Sequence, residues 1–154
     1  GKNMKLILIR HAKAEQGFSK KDRDRKLTPE GIVKFKQKLQ KLVEKLSLEK
    51  KVIIWASSAK RSQETAQLIM DEISNLVDME IEEAIYTGDF DLLLRKMESM
   101  DSDTTLLLVG HQPSLSYWSY DLTEKNISFA TGDMVAFDLQ DFSPLRARKL
   151  WKIS

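Results

Sequence analysis

Residues Leu6-Ile7-Leu8-Ile9 form an unbroken apolar run that halts at Arg10-His11. A short run of this kind, bounded by polar residues, reads as a strand buried on both faces of a parallel sheet. Two later runs repeat the pattern. Val52-Ile53-Ile54-Trp55-Ala56 gives way to Ser57-Ser58-Ala59-Lys60-Arg61, and Thr105-Leu106-Leu107-Leu108-Val109 to Gly110-His111-Gln112-Pro113. Ligands of such sheets bind beyond the carboxyl ends of the strands. The pattern therefore sends both histidines of the chain and Arg10 to the ligand edge, with Arg61 in the first turn of the helix after the second run. Two histidines could suggest a metal, but a metal site wants a third ligand and is repelled by crowding guanidinium groups. Arginines match phosphate oxygens, and a neutral imidazole can attack phosphorus. Phosphate chemistry without a metal or other cofactor is the expectation.

The segments between the runs have helical character. Thr28 is a good N-cap and Pro29 suits the first helical position. Ile32, Phe35, Leu39, Leu42, Val43 and Leu46 then share one stripe of a helix of about 17 residues, long enough to cross between parallel strands. Serine at 57–58 is expected to cap the next helix, with Ala59, Ser62, Ala66, Ile69, Met70 and Ile73 at helical spacing. Met79 to Tyr86 reads as a short edge strand followed by a loop, and Phe90 to Met97 as a helix. Leu115 to Leu122 is a short helix whose aromatics, Tyr117, Trp118 and Tyr120, read as core and pocket wall. Met134–Leu139 is a strand, and Arg146 to Ile153 adds an edge strand. The expected fold is an α/β three-layer sandwich, a mostly parallel sheet with helices on both faces, in one domain at 4–154. Gly1-Lys2-Asn3 ahead of Met4 reads as a cloning remnant or a disordered tip.

Composition narrows the function. With 25 basic and 23 acidic residues the formal charge of +2 does not point to nucleic acid. The absence of cysteine excludes disulfides, thiolate metal sites and cysteine nucleophiles. No apolar stretch approaches the length of a membrane span, so no membrane partner is expected and a cytoplasmic location is the default. The basic run Lys20 to Lys26 reads as a solvated loop, with attraction of an anionic substrate or docking of an acidic protein surface as the sharper alternative.

Taken together the motifs resemble the histidine phosphatase superfamily, with its phosphoglycerate mutase-like fold. Leu8-Ile9-Arg10-His11-Ala12 is similar to its Arg-His-Gly signature, Ser58 through Arg61 to Gln63-Glu64-Thr65 to its second motif, and Gly110-His111-Gln112-Pro113 to its second histidine motif. The short length and Arg25-Lys26-Leu27-Thr28-Pro29-Glu30-Gly31 look most like the small SixA-type phosphohistidine phosphatases. The resemblance implies that His11 is the phosphorylated nucleophile and that Arg10 and Arg61 bind the phosphoryl group. It makes Arg25 a further phosphate ligand and His111 a hydrogen-bond donor to the phosphoryl oxygens. Thr131 could line the site, although a simple turn residue is the plainer reading.

Two departures stand out. Ala12 replaces the usual glycine, a mild change. Members acting on alkyl phosphates have an acid in the middle segment, for which Glu83 and Asp89 are the candidates; an exposed strand residue and a turn residue are the plainer readings. Phosphohistidine needs such an acid less, because imidazole leaves more readily than an alkoxide. The implied substrate is phosphohistidine on a protein. The rivals are a small phosphoester such as a sugar phosphate or nucleotide, less readily a mutase, and a non-catalytic phosphate-binding module.

Overall fold

A computed structural model of the chain describes residues 3–154. The reading of Gly1 and Lys2 as a remnant lies outside the described residues. The elements run β1 Met4–Arg10, α1 Pro29–Leu46, β2 Lys51–Ala56, α2 Lys60–Met70, β3 Leu76–Ile81, α3 Glu83–Thr87, α4 Phe90–Glu98, β4 Thr104–Gly110, α5 Ser114–Thr123, β5 Met134–Phe142 and β6 Leu145–Ile153. They build one six-stranded sheet in the order β3-β2-β4-β1-β5-β6. The first four are mutually parallel, and β5 and β6 continue the sheet antiparallel.

Side chains on a strand alternate between faces, and the buried runs divide accordingly. Leu6, Leu8, Leu106 and Leu108 pack with Phe90, Leu93, Met97, Trp118 and Leu122 from α4 and α5. Ile7, Ile9, Leu107 and Val109 pack with Phe35, Leu39, Leu42 and Leu46 of α1 and Ala66 and Ile69 of α2. This is why the strands carry no polar alternation: each face has its own helical cover, and the expected three-layer sandwich results. Among the described residues no helix is long and apolar enough to cross a membrane.

Side chains cap α1 and α4, whereas α2, α3 and α5 start without a side-chain cap. Thr28 Oγ1 accepts the Gly31 N–H at 2.9 Å. Gly31 also lets α1 close on the chain after β1, since a Cβ there would lie 2.4 Å from the Lys13 carbonyl oxygen. The expected serine cap of α2 is not made. Ala59 holds that position with no side-chain cap, while Ser57 Oγ accepts the Ala59 N–H and Ser58 Oγ turns outward to Glu83. The helix also stops at Met70, short of Ile73. The expected edge strand within Met79 to Tyr86 is present, but its start and the loop after it are corrected. The edge strand starts earlier, at Leu76, and Glu83–Thr87 is a helical turn closed by left-handed Gly88.

Candidate active site

In the register of β1 with β4, Arg10 lies opposite Gly110, so the next residue of each, His11 and His111, leave adjacent strands side by side. The His11 N–H donates to the Gly110 carbonyl at 3.1 Å and extends the pairing by one residue. Next to β4 on its other flank, β2 leads into α2, whose first turn carries Arg61. Arg10, His11, Arg25, Arg61, Tyr86, His111 and Thr131 line one cavity of about 590 Å³ at this end of the sheet. Five residues singled out in the sequence as nucleophile or phosphate ligands are thus brought together, and Thr131 with them. Among the described residues no group of three or more His, Cys, Asp or Glu side chains could hold a metal ion.

His11 is 7% exposed, and its Nδ1 lies 2.7 Å from the Ala12 carbonyl oxygen. A carbonyl only accepts, so this contact assigns the ring proton to Nδ1 and leaves the Nε2 lone pair free. Burial lowers the His11 pKa from 6.5 to about 4, helped by the charges of Arg61 and Arg10 and opposed by the Ala12 hydrogen bond. The imidazole is therefore neutral near pH 7. Burial likewise lowers the His111 pKa, with the Arg61 charge next in importance. Ala12 brings no backbone strain, since Glu124 is the only non-glycine residue with positive φ among the described residues.

The motif around Arg61 holds the site together through side chains with no direct place in the cavity. Thr65 Oγ1 accepts the Ala12 N–H at 3.1 Å and donates to the Arg61 carbonyl at 2.8 Å, tying the loop of His11 to α2. Glu64 accepts the Leu27 N–H and Gln63 donates to the Ser58 carbonyl. On the other side, Arg10 donates through Nη1 to the Phe129 carbonyl at 2.7 Å and through its backbone N–H to the Asp133 carbonyl. The buried Asp133 carboxylate fixes that turn by accepting from Lys38 and from the Ala130 N–H. Arg10 Nε, Arg61 Nε and His111 Nδ1 are buried without a protein hydrogen-bond partner. Polar groups so placed on cavity-lining residues are costly unless something accepts from or donates to them, and oxygens of an anion suit the guanidinium donors.

Neither acid candidate lines the cavity. Glu83 pairs with Arg23 at 2.9 Å and accepts from Ser58, and these hydrogen bonds hold its pKa below the ordinary carboxylate value. Asp89 caps α4 by accepting the Leu92 N–H at 3.2 Å. The carboxylate that does reach the cavity is Asp22, which in the sequence is only one of two aspartates in a basic run. It accepts from Arg61 Nη2 at 3.1 Å, Arg25 Nη2 at 3.0 Å and the Tyr86 hydroxyl at 2.7 Å. The Tyr86 bond first, then those of the two arginines, hold its pKa at about 2. Tyr86 is a second residue that sequence reasoning misses, since it reads as part of the loop after a short edge strand; it also packs against the His111 ring and under the Arg23 guanidinium. The basic run is in part neutralised within the chain, Lys20 by Glu15 and Arg23 by Glu83.

The arrangement offers a neutral, buried imidazole in a cavity lined by three arginines. The comparisons point the same way. No curated protein matches the chain. Among solved structures, a SixA phosphohistidine phosphatase from Agrobacterium tumefaciens superposes with a TM-score of 0.79 at 18% identity over 98% of this chain and 97% of that one. The protein histidine phosphatase SixA complexed with tungstate gives 0.76 at 18% identity, over 98% and 97%. A mycobacterial glucosyl-3-phosphoglycerate phosphatase gives 0.72 at 15% identity, over 98% and 99%. At these identities the likeness is one of fold. A family model described as the histidine phosphatase superfamily (branch 1) matches residues 6–91, more than half of the 154 residues. The chain belongs to the histidine phosphatase superfamily, branch 1, and is an enzyme of phosphatase type.

Proposed function

We propose that this enzyme removes the phosphoryl group from phosphohistidine on a protein by way of a phosphohistidine formed on His11. The observation that carries the reading is the Nδ1 contact to the Ala12 carbonyl, which supplies a neutral His11 with Nε2 free for attack. Nε2 attacks phosphorus, the P–N bond of the substrate breaks, and the departing imidazole takes a proton from solvent. Water then attacks phosphorus on His11, releasing phosphate and restoring the neutral ring. Arg10, Arg25 and Arg61 bind the phosphoryl oxygens and stabilise their charge in both steps, with His111 adding a hydrogen bond.

The choice of leaving group rests on the acids. Glu83 and Asp89 lie outside the cavity, and Asp22, with its pKa at about 2, carries no proton to give at neutral pH. An alkoxide would need that proton; imidazole needs it less. Size agrees with a macromolecular substrate. The cavity shares Gln112 with a neighbouring groove of about 750 Å³ whose walls include Tyr117, Tyr120 and Phe129, giving room for side chains around the phosphorylated residue.

The test is phosphate release, in EDTA, from a phosphohistidine-bearing protein and from a panel of sugar phosphates and nucleotides. The reading requires kcat/KM to be highest for the protein. Higher kcat/KM for an ester would shift the assignment to a small-phosphoester phosphatase, and phosphate-competitive binding without turnover would make the chain a binding module.

A further inference from the structure

The phosphoryl donors of the site are already engaged by an anion that belongs to the chain. Arg61 is 4% exposed, and both of its terminal nitrogens bond to one residue, Nη1 to the Asp22 carbonyl at 2.8 Å and Nη2 to the Asp22 carboxylate at 3.1 Å. Arg25 directs Nε and Nη2 to the other oxygen of the same carboxylate, at 3.3 and 3.0 Å, and Nη1 to the Glu15 carbonyl. Tyr86 adds a third donor residue, its hydroxyl 2.7 Å from Asp22 Oδ2. Asp22 itself sits in a short 3₁₀ turn, Asp22–Asp24, with its side chain half exposed. A carboxylate ringed by two guanidinium groups and a phenol is the set of contacts a phosphoryl group would seek.

We infer that Asp22 is a resident competitor for the phosphoryl-binding arginines, which sets how tightly the site holds phosphate and so how readily product leaves. The inference rests on the phosphatase reading above. Two roles for such a carboxylate predict opposite outcomes. If Asp22 served to anchor Arg61, its loss would loosen the guanidinium and weaken phosphate binding. The anchors, however, do not depend on the carboxylate. Arg61 is held by its burial in the first turn of α2, by the Thr65 bond to its carbonyl and by the Asp22 backbone oxygen, none of which is a bond to the carboxylate. What the carboxylate contributes is a negative charge on the same donors that a phosphate dianion must use. Like charges sharing donors in a partly desolvated site oppose each other strongly. The dianion therefore displaces the Asp22 contacts as it binds, and those contacts re-form as phosphate departs. Where release of phosphate limits turnover, a competitor for its donors speeds that step.

The experiment is calorimetric titration of inorganic phosphate at pH 7 in EDTA into wild-type protein, Asp22→Asn, Asp22→Ala and Asp22→Glu, each checked to be folded, with a cooperative thermal transition above the titration temperature. Competition predicts that the Asn and Ala variants bind phosphate about tenfold more tightly, with the same shift in its inhibition constant, while the Glu variant stays near wild type. Phosphate affinity that is unchanged or weaker in both neutral variants overturns the inference and leaves the phosphatase reading standing. A wild-type protein that binds no phosphate and hydrolyses no phosphorylated substrate overturns both. A selective loss of kcat on alkyl phosphates in the Asn variant, with phosphate affinity unmoved, would make Asp22 a proton donor and likewise overturn the inference.

Discussion

Lowering the pH from 7 to 4 should separate this His11 from an ordinary histidine by two independent readings. Burial, reinforced by Arg61 and Arg10, moves its pKa from 6.5 to about 4. At pH 5 the ring should then be about 90% neutral, against about 3% for a histidine titrating at its usual value. The linkage has a definite sign. Between these two values the unfolded chain binds a proton at position 11 that the folded chain refuses, so stability falls as the pH falls. The contribution is whole above pH 6.5 and lost by about pH 4, and amounts to about 3 kcal/mol. His111, also lowered by burial, acts in the same direction. Comparison with His11→Asn isolates the first residue, because both proteins keep His111. Urea denaturation at pH 7 and pH 4 should show wild type losing about 3 kcal/mol more than the variant. With only two histidines in the chain, ¹³C-labelled imidazole gives two resonances, and the one absent from the variant should titrate near 4. A His11 midpoint close to 6.5, or equal acid losses in both proteins, would refute the account of a neutral nucleophile made by burial.

Other substitutions test the remaining parts. Arg61→Lys keeps the charge but not the paired donors, and should lower kcat/KM on the phosphohistidine protein by about a hundredfold, read from steady-state kinetics at fixed enzyme fold. Thr65→Val removes the acceptor of the Ala12 N–H and should cost about 1–3 kcal/mol in urea denaturation; kcat should fall with it as the loop of His11 loosens. Glu83→Gln should change phosphohistidine turnover by less than about twofold, because no proton is required from it. Asp89→Ala should leave turnover equally unmoved while lowering stability by about 1 kcal/mol through loss of the α4 cap.

The framework of this site is legible because burial writes itself into runs of apolar residues. Each central strand is covered on both faces, so Leu6–Ile9 and Thr105–Val109 stand out, and the residues just beyond them are forced to the ligand edge. Arg10, His11, Arg61 and His111 are found this way from the sequence alone. Asp22 is not, because its place depends on a loop that carries no period. In Lys20 to Lys26 an acidic residue among bases looks like local charge balance, and only the fold shows that its partners are Arg61 and Tyr86, 39 and 64 positions away in the chain. Glu83 is misplaced for a related reason. The alternation of Met79-Glu80-Ile81 suggests a strand that runs on, whereas Arg23 and Ser58 capture Glu83 at the start of a helical turn. Ser58 does not cap α2 because its hydroxyl donates to the distant Glu83, while Ser57 bonds locally to the Ala59 N–H.

The central claim is covalent, and trapping tests it most directly. Wild-type protein mixed with a phosphohistidine-bearing protein in EDTA, quenched in alkali within the first turnover and fragmented for mass spectrometry, should carry one phosphoryl group on His11. His11→Ala should carry none and release no phosphate. A phosphoryl group on any other residue, or turnover sustained by His11→Ala, would contradict the account.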